Sequence, residues 1–307
     1  MILTSKSRRM GDSSGNKTMS SQELCGAPVW VTMENQQTLY DQMMDKADPR
    51  VEKWFMMTSP VPSFLVCMLY FVVVKAAPAF MANRKPFEIR KILMFYNLGM
   101  VLLSGYIFLE FLAGGWLAGY SLGCQPVDYS DSPQAIRMAR VCWLFYFSKF
   151  IELFDTIFFV MRKKFNQVSF LHVFHHGIMP MSWWFGVKFV PGGFGTFHAV
   201  LNSFIHLVMY TYYGIAGLGP TYQKYLWWKK YMTTMQITQF ISVLIHSIQL
   251  LFIECNYPKI FVYWVGMYAL IFLILFADFY RKAYSDSNRA SRNSSKIQNG
   301  TECKKIN

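Results

Sequence analysis

The chain has 307 residues, of which 53% are hydrophobic and only 15% charged. Soluble domains carry about 25% charged residues, so this chain cannot cover a water-facing surface, and its apolar content excludes disorder for the bulk. The net charge of +13 does not point to nucleic acid, because the cations lie in short blocks between apolar runs, as in the loops of a polytopic membrane protein. A membrane helix needs about 20 largely apolar residues. In chain order, such stretches occur near 61–81, 92–113, 140–161, 171–188, 198–217, 233–253 and 259–280. The expectation is an all-α membrane protein with seven transmembrane helices over 56–283. Residues 1–55 form an N-terminal segment, disordered in its first part, and 284–307 a disordered, Ser-, Asn- and Lys-rich tail.

The loops set the orientation. Arg84, Lys85, Arg90 and Lys91 fall between the first two stretches, Arg162, Lys163 and Lys164 after the third, and Lys224, Lys229 and Lys230 before the sixth. The alternate loops hold only Arg137, Lys188 and Lys259. The positive-inside rule places the basic loops and the C-terminus in the cytosol and the N-terminus in the lumen. Cys124 and Cys255 then share the luminal side, as a disulfide or as two free thiols. Of the sequons at Asn16, Asn293 and Asn299, only Asn16 faces a glycosylating compartment. Lys304 and Lys305 stand three and four residues from the end. They read either as a dilysine address for retrieval to the endoplasmic reticulum or as chance lysines in a basic tail.

Ionisable groups inside a span are costly and signal function. Lys149, Glu152 and Asp155 recur every three residues in the third span, so they lie along one helical face. A packing salt bridge is the plainer reading. His172, His175 and His176 share a face at the start of the fourth span, and His198, Asn202, His206 and Tyr210 run at spacings of four in the fifth. Thr234, Gln236 and Gln239, then His246, follow in the sixth. Polar stripes on neighbouring spans cannot all face hydrocarbon, so they converge on an interior cavity. Six His are too few for a desaturase-type di-iron site. Zinc on three His stays open beside a metal-free imidazole acting as nucleophile or base.

Together these boxes resemble those of the very-long-chain fatty acid elongases, the animal 3-oxoacyl-CoA synthases of the endoplasmic reticulum. The resemblance rests on Lys149-x-x-Glu152-x-x-Asp155-Thr156, His172-x-x-His175-His176, His206-x-x-Met209-Tyr210-x-Tyr212-Tyr213 and Thr234-x-Gln236-x-x-Gln239. It covers roughly residues 40 to 285. It implies six of the seven helices in a barrel around a narrow acyl tunnel, open to the cytosol and closed at the luminal end. It also implies a luminal disulfide, which favours Cys124–Cys255, and a homodimer working with the reductases and dehydratase of the elongation cycle. The implied reaction joins a long acyl-CoA to malonyl-CoA, giving a 3-oxoacyl-CoA, CO2 and CoA, with no tightly bound cofactor and no metal.

Carried onto this chain, the resemblance makes His175 the nucleophile, forming an acyl-imidazole, with His206 assisting. Asp155, His172, His176 and Asn202 would orient the rings. Gln236, Gln239 or Tyr210 would hydrogen-bond the enolate of decarboxylated malonyl-CoA. Lys149, Lys229 and Lys230 would meet CoA phosphates at the cytosolic mouth, with Glu152 beside them in the substrate site. The loop lysines could equally be topology signals. The stretch Trp183-Trp184-Phe185-Gly186-Val187-Lys188-Phe189 is similar to that of members acting on saturated and monounsaturated chains. The rival class is a polytopic transporter or heptahelical receptor. The cytosolic histidine cluster opposes it, as does the absence of an Asp-Arg-Tyr-like sequence where the third span ends at Val160-Met161-Arg162-Lys163-Lys164.

Overall fold

The computed structural model describes residues 38–286. The sequons at Asn16, Asn293 and Asn299 and the lysines Lys304 and Lys305 lie outside them. The described elements are helical, with no strand among the described residues. The chain divides into two compact units between Lys46 and Ala47. In the first, Thr38 and Asp41 form a reciprocal capping box at the start of the short helix α1, Leu39–Met44.

The second unit holds the long helices. These are α2 (Val61–Met81), α3 (Arg90–Phe111), α4 (Pro133–Ile151), α5 (Leu153–Met161), α6 (Phe170–Phe189), α7 (Thr196–Gly217), α8 (Lys229–Gln249) and α9 (Lys259–Tyr280). Helix therefore stands at each of the seven expected positions, with α4 and α5 together filling the third. Among the described residues, three helices are long and apolar enough to cross a membrane: α2, α3 with the π-helical turn that continues it to Trp116, and α9 with its continuation to Tyr284. Their outward faces carry exposed Leu65, Leu69, Leu102, Leu109, Leu270 and Ile274. Such contiguous apolar surface belongs in lipid rather than water. The chain is a multi-pass membrane protein.

Two boundaries differ from the expected ones for local reasons. The third stretch begins at Pro133 rather than near 140, because Ser132 accepts a hydrogen bond from the Ala135 amide and Pro133 fills the first helical turn. Its first turns are too polar to register as a span. The same stretch breaks at Glu152, where the Asp155 amide bonds the Glu152 carbonyl at 3.1 Å in a tight i→i+3 turn. Ser169 caps α6 by accepting from the His172 amide, which fixes the helix that carries the clustered histidines.

The helices pack as neighbours in pairs: α3 on α4, α4 on α6, α6 on α9, α9 on α8, α8 on α7 and α7 on α3. Helix α2 lies against α5 and α6. Connections gather at two ends. At one, Cys124 and Cys255 form a disulfide across 131 residues. There the Phe194 amide bonds the Gln125 carbonyl at 2.7 Å, and the Gln249 side chain bonds the Leu122 carbonyl at 2.6 Å. A core of Val190, Phe194, Leu250, Tyr257 and Val262 sits beneath them. Gly193 allows the closest approach: its φ is +65°, and a Cβ there would stand 2.8 Å from the Gln125 carbonyl oxygen. At the opposite end the Phe87 amide bonds the Met161 carbonyl at 3.0 Å, and Arg90 donates to the Gly217 carbonyl at 2.8 Å.

Candidate active site

The turn at Glu152 places the charged box of the third stretch inside the helical unit. Lys149 and Glu152 are each only 2% exposed. The Lys149 ammonium donates to Glu152 Oε1 at 2.7 Å and to Asn202 Oδ1 at 3.0 Å. His206 Nδ1 lies 3.2 Å from the same carboxylate oxygen. Lys149 also sits 4.1 Å from the centre of the Phe145 ring. Two charges this deeply buried persist only because each meets the other and further polar groups. Glu152 Oε2, by contrast, is buried without a hydrogen-bond partner.

This cluster gives three of the expected residues other partners. Lys149 is held by Glu152 and Asn202 in the interior, so it is not placed to meet a phosphate at a cytosolic mouth. The carboxylate that touches a histidine is Glu152, whereas Asp155 accepts a hydrogen bond from the Tyr210 hydroxyl at 2.6 Å. Asp155 therefore positions a phenol on α7, one turn of helix beyond His206. Asn202 engages Lys149 instead of an imidazole.

His176 makes ring contact with both other histidines of α6, with centroids 4.3 Å apart for His172 and His176 and 5.1 Å for His175 and His176. His172 Nε2 lies 2.8 Å from the Thr156 hydroxyl, which in turn lies 3.0 Å from Tyr70 on α2. His175 packs its ring against Phe272 of α9 at 5.0 Å. Among the described residues no group of three or more His, Cys, Asp and Glu is arranged to hold a metal ion.

A cavity runs between α4, α6, α7, α8 and α9. Of His172, His175, His176 and His206, only His175 lines it. Asn202 and Gln239 line the same cavity, together with aromatic side chains such as Phe145, Trp183, Phe240, Trp264 and Phe272. On α6 the lining extends from His175 to Gly186, which corresponds to about 16 Å of helix. The cavity thus carries a polar region at one end and an apolar body reaching toward the disulfide end.

The remaining expected residues separate. Gln239 lines the cavity, while the Gln236 side chain reaches Met209 Sδ at 3.9 Å. Lys229 and Lys230 open α8 on the surface, at the end opposite the disulfide. Cys67 and Cys142 are buried thiols outside the cavity lining. Sequence reasoning passed over Tyr70, Tyr96 and Phe272, because single aromatics in apolar spans read as packing. Tyr96, on α3, donates to the Ile151 carbonyl at 3.2 Å beside the Glu152 break and packs edge-on against Tyr210.

Outside the helical core, short contacts fix the loops at the disulfide end. Asp48 and Arg50 form a buried pair at 2.6 Å, and Arg50 also donates to the Ser130 carbonyl at 2.5 Å. Hydrogen bonds from Ser130 hold the Asp128 carboxyl below the usual carboxylate range. Burial raises the Tyr257 phenol above the ordinary tyrosine value.

Comparison with known proteins adds the family context. Residues 55–292 match the model of the ELO: GNS1/SUR4 family. The chain is 53% identical over 268 residues to very long chain fatty acid elongase 7 of Rattus norvegicus, covering 86% of this chain and 94% of the relative. It is 50% identical over 264 residues to very long chain fatty acid elongase 1 of Homo sapiens, covering 85% and 94%. It is 46% identical over 244 residues to human very long chain fatty acid elongase 4, covering 79% and 77%.

Proposed function

This chain belongs to the ELO: GNS1/SUR4 family, and on that premise we propose that it is the condensing enzyme of fatty acid elongation. It takes a long-chain acyl-CoA and malonyl-CoA to a 3-oxoacyl-CoA two carbons longer, CO2 and CoA. The carrying observation is that His175 is the box histidine on the wall of the long aromatic cavity. An imidazole there can attack the acyl thioester carbon while the acyl chain occupies the apolar body. The CoA thiolate leaves, giving an acyl-imidazole. Loss of CO2 from malonyl-CoA supplies an enolate that attacks the same carbon, frees His175 and releases the 3-oxoacyl-CoA.

The neighbours fit supporting roles. A hydrogen on His206 Nδ1 would be held by Glu152 at 3.2 Å, leaving Nε2 free to accept a proton. Lys149 balances that carboxylate. Gln239 and Asn202 on the cavity wall are candidates to hydrogen-bond the developing oxyanion. Lys229 and Lys230 suit CoA phosphates at the mouth.

The closed order of helix pairs α3, α4, α6, α9, α8 and α7 supports a six-helix barrel with α2 outside, and hence seven membrane spans. The disulfide favours a luminal position for its end, which puts the basic loops and C-terminus in the cytosol. The setting is then the endoplasmic reticulum membrane. The enzyme would act there on saturated and monounsaturated chains, as a homodimer, beside the reductases and dehydratase that complete the cycle. In microsomes, His175→Ala should abolish incorporation of labelled malonyl-CoA into longer acyl products. Normal elongation by that variant would remove His175 from the mechanism.

A further inference from the structure

The condensation chemistry leaves two histidines unused. His198 on α7 and His246 on α8 both lie toward the disulfide end. His198 lines the main cavity and also a second, much smaller space whose wall includes His246. The two spaces share Gly195, His198, Val243 and Tyr257, so the second extends the first at its far end.

Both rings offer a nitrogen without an assigned task. His198 Nδ1 lies 2.6 Å from the Gly195 carbonyl oxygen. A carbonyl only accepts, so Nδ1 carries the hydrogen, and Nε2 of the neutral ring is an acceptor. His246 is stacked between Phe194 at 3.8 Å and Phe197 at 4.1 Å. It is 7% exposed, and its Nε2 is buried with no hydrogen-bond partner. Phenylalanine would fill the same stack without leaving a polar atom unpaired, and an unpaired buried polar atom destabilises a fold. A ligand that supplies an O–H at the end of the cavity removes that penalty.

We propose that His198 and His246 form a polar subsite at the far end of the acyl cavity, and that it takes acyl chains ending in a hydroxyl group. The terminal O–H donates to a histidine nitrogen while the chain fills the aromatic body. This rests on the reading of the cavity as the acyl site.

The test uses the full chain in microsomes with pairs of acyl-CoAs of equal length, one ending in a methyl and one in a hydroxyl, over a series of lengths. The readout is the ratio of kcat/KM for the hydroxyl chain to that for the methyl chain. In the wild type the ratio should peak at one length, where the hydroxyl reaches the histidines. At that length His246→Phe, which keeps the stack, should lower the ratio by about tenfold, the upper end for one neutral hydrogen bond. His198→Phe should lower it less, and His246→Gln, which keeps an acceptor, should fall between wild type and His246→Phe. A ratio that is flat with length, or unchanged in every folded variant, overturns the proposal while leaving the condensing function intact. Failure of the wild type to elongate any methyl chain would instead remove the condensing function and this subsite together.

Discussion

The two ends of the helical unit are tied in different ways. At one, a disulfide, the buried Asp48–Arg50 pair and backbone bonds such as Phe194 to Gln125 join loops distant in sequence. At the other, Phe87 bonds Met161 and Arg90 bonds Gly217 across the loops, and the interior polar groups are joined through Lys149, Glu152, Asn202 and His206. The first arrangement makes a fixed lid, since its disulfide stays closed during turnover. The second makes a charged interior that needs no lid above it. In the proposed reaction, substrates enter and leave through the end that lacks covalent closure.

The contrast can be broken first at the charged interior. Glu152→Gln strips the carboxylate from both Lys149 and His206 and leaves a buried ammonium without its counter-ion. Breaking such a pair costs about 3–5 kcal/mol. The melting temperature in detergent should fall sharply and elongation should be lost. Replacing both partners, as Lys149→Met with Glu152→Met, should recover most of the stability but none of the activity. A Glu152→Gln protein that melts with the wild type would show that the ion pair does not organise the site.

The lid should respond more mildly and separately. Cys124→Ser opens a loop of 131 residues, worth about 2–5 kcal/mol. Thermal unfolding with and without reductant would measure it, and elongation at low temperature should persist because the histidine cluster lies at the other end. Gly193→Ala should cost less, about 1–2 kcal/mol for a left-handed residue, with the approach to the Gln125 carbonyl adding to it. Combined with Glu152→Gln, either lid variant should be additive, since the sites share no partner. Strong non-additivity would mean that the two ends form one cooperative element.

Helix positions were legible because long apolar runs bounded by basic loops have few other physical meanings. The start at Pro133 was hidden, since a cap and a proline define it rather than hydropathy. The resemblance named the charged box, but spacing alone could not say that the helix breaks at Glu152. That break separates the roles of Glu152 and Asp155: one meets His206, the other Tyr210. A spacing of three placed Lys149 on the correct face, yet burial took it away from the phosphates expected of it. Cys124–Cys255 was one of two readings of the loop cysteines until the resemblance favoured it, and the structure forms that bond. His198 and His246 stood in the polar stripes of two different spans, and their meeting across α7 and α8 is a tertiary fact.

The central claim is covalent catalysis on His175. Incubating the protein with an acyl-CoA in the absence of malonyl-CoA should release CoA in proportion to enzyme. It should also leave the acyl group on the peptide containing His175, read by mass spectrometry, and later addition of malonyl-CoA should discharge it as the 3-oxoacyl-CoA. An acyl group mapped to another residue, or full elongation activity with no acylated peptide, would contradict the account.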